Sequence, residues 1–399
     1  MVQLASLDLA NKKVLIRVDF NVPLDKSGKI SDDTRIASAI PTIEYALKKG
    51  AKVILMSHFG RPKGKSSQFS LAPCAVRLQQ LLKRPVTMAP DCIGPQVEAL
   101  VANMKSGDVI LLENLRFYPA EEKPESDPTF AKNLAKLGDC YIDDAFGCAH
   151  RAHSSIVPLA QCFPGKAAAG FLMEKEIAFL GKALLEPKRP FFAIIGGAKI
   201  STKIGVLHAL VEKSDGLFIG GAMAFTFFKA QGKAIGASLC EEEMVGTAKE
   251  IIAACQKKNI PLYLPVDTVA TTQFDKDAPS EVFRMDSPKV SGIAEGWQGM
   301  DIGPKTIAVW KEALQKGKTF LWNGPVGVFE FPNFAKGTLA IAETLAALSG
   351  ATTIAGGGET VAAIEGAGLK NRFSHISTGG GASLEYIEKG TLPGIEVLT

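Results

Sequence analysis

The segment "FFAIIGGAKISTKIGVLHALV" (residues 191–211) decides the architecture. An apolar run, Phe191 to Ile195, stops at two glycines; Ile204, Leu207, Leu210 and Val211 then recur at the spacing of one helical face. A short unbroken apolar run is a strand buried on both sides, and a helix that follows at once covers one of them.

The same grammar repeats along the chain. Downstream, "GLFI" runs into "GGAMAF", "TFLW" into "NGPVG", "TTIA" into "GGGET" and "SHIS" into "TGGGAS". Upstream, "VLIRV" runs into "DFNVP", "KVILM" into "SHFGRP", "DVILL" into "ENLRF" and "CYID" into "DAFGCAHR". Strands alternating with helices predict an α/β protein of three-layer, Rossmann-like domains with parallel sheets. At 399 residues the chain is too long for one ordinary core, so two domains are expected. Between the halves, "GFLMEKEIAFLGKALLEPKRP" reads as a helix carrying Phe171, Leu172, Lys175, Ile177, Phe179 and Leu180 and ended by Pro187. It is either one more surface helix or a connector. A helix through "TIEYALKKG" stops at Gly50, and Pro41 is expected to start or kink it.

Composition narrows the function classes. A formal net charge of +4, with no basic run interleaved with aromatics, gives no reason to expect nucleic acid as a partner. The 7 cysteines form no C-x-x-C pair, which fits reduced thiols in a cytoplasmic protein better than a disulfide frame. No apolar run approaches the roughly 18 residues of a membrane span, and the start "MVQLASLDLANKK" does not read as a signal peptide.

In open parallel sheets, ligands bind beyond the carboxyl ends of the strands. Those ends differ between the halves. The first places Asp19, Asn21, His58, Arg61, Arg116 and Arg151 there; the second places glycines, with Lys199 and Lys203 close by. Arginine grips carboxylate or phosphate with a planar fork. Glycine lets backbone N–H groups approach a phosphate at a helix start. One half therefore suits a compact anion, the other a polyphosphate. A single such arginine or Gly-Gly pair would be only a solvated side chain or a tight turn.

Standard fingerprints fail. Gly317-Lys318-Thr319 has Glu312 where a Walker A loop needs glycine, and Gly64-Lys65-Ser66 has Gly60 one residue too close. No G-x-G-x-x-G follows the first strand of either half, no G-x-S-x-G elbow exists, and the protein-kinase set is missing. In "DAFGCAHRAHSS" (144–155), Cys148, His150 and His153 could supply three metal ligands, but their spacing matches no common zinc pattern. The alternative, Arg151 gripping an anion with the histidines behind it, has three sister loops in its favour.

Eight segments resemble the phosphoglycerate kinase family, in order along nearly the whole chain: "RVDFNVP" (17–23), "SHFGRP" (57–62), "ENLRF" (113–117), "DAFGCAHRAHSS" (144–155), "GGAKIS" (196–201), "GGAMAFTF" (220–227), "WNGPVGVFE" (322–330) and "STGGGASLE" (377–385). The resemblance implies two Rossmann-like domains facing each other across a cleft that closes in the reaction. Residues 1–168 would bind 3-phosphoglycerate or 1,3-bisphosphoglycerate, with a tail, 385–399, crossing back. Residues 169–187 would connect, and residues 188–384 would bind Mg-ADP or Mg-ATP.

Carried over residue by residue, Asp19 and Asn21 resemble contacts to the glycerate hydroxyl and carboxyl region, and Arg35 would sit at the transferring phosphate. His58, Arg61, Arg116 and Arg151 match the basic patch around the substrate's 3-phosphate and carboxyl end. Lys199 matches the lysine that follows the phosphoryl group, and Lys203 the one on the nucleotide phosphates. Gly220, Gly221, Gly299 and Met300 resemble the adenine pocket; Asn323, Pro325 and Glu330 resemble phosphate and ribose contacts. Gly379, Gly380 and Gly381 resemble a helix start aimed at the phosphoryl group, and "GGGET" (356–360) adds Gly357, Gly358, Glu359 and Thr360 on the nucleotide side. Glu359 stands where the family generally has a magnesium-contacting aspartate. The resemblance further implies a monomer acting on small molecules in glycolysis, with Mg²⁺ as the cofactor. A two-domain nicotinamide dehydrogenase and a hinged binding protein are the rival classes.

Overall fold

The structure, a computed structural model, describes residues 2–286 and 292–399, with backbone alone for 182–184. The chain divides into two compact units, Met1–Ala178 with Thr391–Thr399, and Phe179–Gly390.

In the first unit, β1 (Lys13–Arg17), β2 (Lys52–Met56), β3 (Thr87–Met88), β4 (Val109–Leu111), β5 (Cys140–Asp143) and β6 (Ala167–Ala169) form one sheet. Its order is β3-β4-β2-β1-β5-β6, and every neighbouring pair is parallel. Val14 to Arg17 and Val53 to Met56 are buried without alternation, as strands covered on both faces must be. The winding reverses on either side of β1. The crevice that such a reversal opens therefore lies beyond the ends of β1, β2 and β5.

The helix Thr34–Lys48 begins ahead of Pro41 and runs through it. Of the two expectations for Pro41, that it starts the helix is thereby overturned. Proline inside a helix costs about 3 kcal/mol, but this one buries Ile36, Ala39, Thr42, Ile43 and Ala46. Packing of that stripe outweighs one lost hydrogen bond.

A second helix, Phe171–Leu185, contains the unit boundary. Asp144, the residue after β5, fixes its start: Oδ1 accepts from Leu172 N–H at 2.9 Å and Met173 N–H at 3.2 Å. Gly170 lies so close that a Cβ there would meet Asp144 Oδ1 at 2.3 Å. The C-terminal segment packs on the loop after β5, with Gly394 N–H donating to the Ala149 carbonyl at 2.8 Å.

The second unit holds β7 (Phe191–Ile195), β8 (Gly216–Ile219), β9 (Ala234–Ile235), β10 (Leu262–Tyr263), β11 (Asp267–Thr271), β12 (Ser280–Arg284), β13 (Gly292–Ile293), β14 (Gln298–Ile302), β15 (Thr319–Asn323), β16 (Thr352–Gly356) and β17 (His375–Ile376). Its main sheet, β10-β8-β7-β15-β16-β17, is again parallel throughout. Trp310, Trp322, Phe218 and Phe320 lie in its core cluster. A smaller antiparallel sheet, β12-β11-β14, stands beside it.

Gly221, after β8, has φ of +68°, and an added Cβ would fall 2.6 Å from Gly197 N and O and 2.9 Å from the Pro325 carbonyl. Two backbone segments approach there with no room for a side chain. Gly221→Ala should lower unfolding stability by about 2 kcal/mol or more. Gly246→Ala, in a helix and with open space around its Cβ position, should be neutral or gain up to about 1 kcal/mol. Urea midpoints of the two variants check the contrast.

Burial raises the Asp144 carboxyl to about 6, against hydrogen bonds from Thr42, Met173 and Leu172. A carboxyl raised in the folded state stabilises fully below its unfolded value and loses that contribution as pH rises through its folded one. Asp144→Asn cannot titrate. Its stability relative to the parent should therefore improve between about pH 4 and pH 6 and level off above, by at most about 3 kcal/mol. Urea unfolding across that range measures it.

Candidate active site

At the carboxyl edge of the first sheet, a single buried guanidinium ties the loops together. Arg17 ends β1 and has no exposed surface. Its Nε donates to Ser155 Oγ at 2.8 Å and its Nη1 to the Val18 carbonyl at 2.5 Å. Nη2 lies 3.2 Å from His58 Nδ1 and 3.6 Å from Cys148 Sγ. Glu121 balances the charge at 3.9 Å and accepts from both the Ser155 hydroxyl and its N–H. A buried cation is tolerated only when partnered from all sides, so this network fixes the loops after β1, β2 and β5 relative to one another. The sequence reading passed over Arg17; its signal was a charged residue inside the apolar run "VLIRV".

Around this anchor stand the predicted residues. Asp19 Oδ1 accepts from Asn21 N–H at 3.2 Å, and Asn21 Oδ1 from Gly60 N–H at 2.9 Å. Arg35 Nη1 donates to Asp19 Oδ2 at 2.5 Å. Asn114 holds the loop after β2 by accepting from Phe59 N–H at 3.0 Å and donating to the Phe59 carbonyl at 2.7 Å. Arg116 donates to the Gly60 carbonyl at 2.7 Å and pairs with Glu122 at 3.0 Å. Arg61 and Arg151 are exposed, and Arg151 Nε donates to His150 Nε2 at 3.0 Å.

His58 departs from the expected basic patch. Burial, reinforced by Arg17, Arg116 and Arg35, drives its pKa well below the usual value against the pull of Asp19. It is neutral at neutral pH and accepts from Arg17. Burial opposes ionisation of Asp19 too, yet its carboxyl stays below the usual range. With His58 neutral, Arg35 and Arg17 carry that effect. The positive charge of the edge therefore comes from its arginines and not from His58.

Metal ligation by Cys148, His150 and His153 does not fit. Cys148 instead groups with Asp19 and His58, their ligating atoms within 4.8 Å of one another. The guanidinium of Arg17 already touches two of the three, so a second cation would meet it directly. Burial pushes the Cys148 thiol up to about 12, further from the thiolate a metal needs.

The second sheet presents backbone at its carboxyl edge. Gly197 N–H donates to the Pro325 carbonyl at 2.8 Å, and Gly221 N–H to the Val326 carbonyl at 3.1 Å. A Cβ on Gly220 would meet Val326 Cγ1 at 2.6 Å. Among these loops lies a cavity of about 490 Å³, walled also by the antiparallel sheet. Of the residues singled out in the sequence, Gly221, Gly299, Met300, Pro325, Glu330 and Glu359 line it and Gly220 and Asn323 do not; the lining also includes Phe225, Val326, Phe274 and Asp301. The last four were missed because apolar contact and sheet placement leave no local motif. Gly299 is required where it sits: a Cβ would meet Phe225 Cζ at 2.1 Å.

Lys203 is half-buried, its Nζ donating to the Gly196 carbonyl at 2.7 Å and to Asn323 Oδ1 at 2.9 Å. Burial lowers its pKa to about 8, against the pull of Glu359. Thr360 Oγ1 accepts from Gly324 N–H at 2.7 Å, which makes it a brace for the loop after β15. Gly357 caps the helix Gly358–Gly366, whose first turn carries Glu359. Gly380 caps the helix Gly381–Lys389, with Gly379 N–H donating to Ser377 Oγ at 3.2 Å. Lys199 is exposed on the loop before the helix Ile204–Lys213. Glu359 and Glu330 are exposed carboxylates in the cavity lining. Scattered single carboxylates suit a cation held mainly by its ligand's own oxygens, as Mg²⁺ usually is.

Comparison with known proteins gives one answer. The family model "Phosphoglycerate kinase" matches residues 4–390. The phosphoglycerate kinase of Synechococcus sp. (strain CC9311) is 54% identical over 401 residues, covering 100% of this chain and 98% of that protein. The cytosolic phosphoglycerate kinase of Triticum aestivum is 53% identical over 397 residues, covering 99% and 97%. The solved phosphoglycerate kinase of Coxiella burnetii superposes with a TM-score of 0.86 at 39% identity, covering 100% of this chain and 98% of its own. The match extends over nearly the whole length of these relatives as well as of this chain, and the chain belongs to the phosphoglycerate kinase family.

Proposed function

We propose that the two units divide the family's reaction between them. As a phosphoglycerate kinase, the chain is a phosphotransferase with a carboxyl group as acceptor; it moves a phosphoryl group reversibly between 1,3-bisphosphoglycerate and ADP, giving 3-phosphoglycerate and ATP. In the proposed division, the arginine-edged unit holds the phosphoglycerate and the glycine-edged unit the nucleotide. One observation carries this reading: the edge around Arg17 presents the exposed arginines Arg61 and Arg151, whereas the glycine edge frames an apolar cavity that suits a purine ring.

On the first unit, Arg61 and Arg151 are exposed and available to an incoming anion. Arg35 and Arg116 are engaged with Asp19 and Glu122, and exchange those carboxylates for substrate oxygens. Asp19 and Asn21 take the hydroxyl and carboxyl region; neutral His58 supports them through Arg17. On the second unit, Gly220, Gly221, Gly299 and Met300 accept the base. Asn323, Pro325 and Glu330 face the ribose and phosphates with Lys203, and Gly357, Gly358 and Thr360 present the backbone beside them. Lys199 and the amides at Gly379, Gly380 and Gly381 stabilise charge on the group in transit.

The acceptor is a carboxylate, ionised at neutral pH because its reference pKa is about 4. No general base is required. The protein's task is to hold two anions together and offset charge on the equatorial oxygens. Magnesium, when bound with the nucleotide, neutralises part of the phosphate charge, and Glu359 is the residue placed to hold it, directly or through water.

Arg151→Ala and Arg61→Ala should each raise the KM for 3-phosphoglycerate at least about tenfold, since a charge-assisted contact is worth roughly 1.5–3 kcal/mol. The KM for ATP should stay within twofold. Equal effects on both substrates would sink the division between units.

Glu359→Gln keeps the side chain's shape and removes its charge. It should shift the Mg²⁺ concentration for half-maximal activity upward and lower kcat by about tenfold or more, while Glu359→Asp stays active. Parent-like Mg²⁺ titration of the Gln variant would reduce Glu359 to a helix-start acid, a role worth only about 0.3–1 kcal/mol.

A further inference from the structure

The loop that carries Lys199 spans Gly196 to Lys203 and is held firmly at both ends. At its start, Gly197 N–H donates to the Pro325 carbonyl at 2.8 Å and the Gly197 carbonyl accepts from Met223 N–H at 3.1 Å. At its end, Lys203 Nζ closes back on the Gly196 carbonyl at 2.7 Å. In between, Ala198, Lys199, Ser201 and Thr202 are exposed, and only Ile200 turns its side chain inward.

A carboxylate from a distant part of the chain reaches this exposed middle. Glu241 Oε2 accepts from Ser201 N–H at 3.1 Å, and Glu241 Oε1 from the Ser201 hydroxyl at 2.5 Å. Glu241 is itself fixed, its own N–H donating to Thr226 Oγ1 at 3.2 Å. Thr226 is 1% exposed in the helix Met223–Ala230, which starts after the Gly220–Gly221 turn. One residue thus links the lysine loop to the helix that follows the cavity's glycines. Burial opposes ionisation of Glu241, but Ser201, the Ile200 N–H and the nearby Lys199 ammonium hold its carboxyl below the usual range. It is a carboxylate at working pH, with both oxygens engaged.

We propose that Glu241 is a positioning residue for phosphoryl transfer: by gripping both polar hydrogens of Ser201 it fixes the backbone from which Lys199 reaches the transferring group. The proposal rests on the transfer role of Lys199 given above. Glu241 does not line the cavity, so it acts through the loop and not on the nucleotide. The carboxylate accepts from the N–H and the O–H with one oxygen each, and its charge strengthens both bonds; glutamine keeps one acceptor oxygen, loses the charge and forces the Ser201 hydroxyl to turn from donor to acceptor. A loop released at its middle keeps its anchors, so the fold survives while the ammonium loses its placement. Misplacement by about 1 Å costs around a hundredfold in rate.

The test is a double-variant cycle on the full-length enzyme with Mg-ATP and 3-phosphoglycerate, with melting temperature followed alongside. Glu241→Gln should lower kcat about tenfold to a hundredfold, with the KM of both substrates within twofold and the melting temperature near the parent's. Ser201→Ala, which removes one of the two contacts and tests the link without altering Glu241, should show a smaller loss of the same kind. In a Lys199→Ala background, Glu241→Gln should cost nothing further in kcat, because its effect runs through the lysine. Parental kcat in Glu241→Gln beside a crippled Lys199→Ala overturns the positioning role alone. Losses that multiply in the double variant overturn it as well. Parental kcat in Lys199→Ala removes the reading of Lys199, and the proposal with it.

Discussion

Parallel strands all leave their sheet at the same edge, and everything functional in this chain follows from that constraint. In both six-stranded sheets every neighbouring pair is parallel. Each strand-to-helix turn of a unit therefore emerges beside the others, and residues far apart in sequence share one rim. Arg17, His58 and Cys148 meet that way although the first ends β1 and the others follow β2 and β5. Gly197, Gly221 and Pro325 meet that way after β7, β8 and β15. An antiparallel arrangement would have sent alternate turns to opposite ends and dispersed both groups.

The two rims solve the crowding at such an edge in opposite ways. The first fills it with one buried cation whose donors are spent on neighbours: Ser155, Val18, His58 and Glu121. Its outer arginines are then free to carry the charge, since His58 is kept neutral by burial. The second removes side chains altogether. Backbone meets backbone at distances only glycine permits, and the space gained becomes a cavity walled by Val326, Phe225 and Met300. A guanidinium-lined rim suits compact anions. An amide-lined rim beside an apolar cavity suits a flat ring carrying phosphates.

Much of this was legible in the residues. Strand order aside, the α/β class and the parallel sheets followed from unbroken apolar runs such as "FFAII" and "KVILM", because burial on both faces leaves no polar alternation to mislead. Most of the rim residues were legible because they lie in the segment that follows a strand. That the helix begins ahead of Pro41 was not legible, because local helix rules do not contain the burial of Ile36, Ile43 and Ala46 that overrides them. Arg17 was invisible as an anchor because its partners lie up to 138 positions away. Phe225 and Asp301 were missed for the same reason: they enter the cavity wall through packing of the helix Met223–Ala230 and of β14, which no spacing in the sequence announces.

The electrostatics of the second rim follow from the same geometry. Lys203 points back into its own loop, donating to the Gly196 carbonyl and to Asn323, and burial has brought its pKa down to about 8. Glu359 opposes that shift from the first turn of the helix Gly358–Gly366. The ammonium is thus charged at neutral pH with little to spare, and its charge depends on the anions near it. A polyphosphate arriving beside it would strengthen that charge, whereas a neutral ligand would leave it weak. A rim built from backbone dipoles and one marginal lysine therefore gains full positive character in the presence of the ligand it suits. The arginines of the first rim keep their charge whether or not substrate is there.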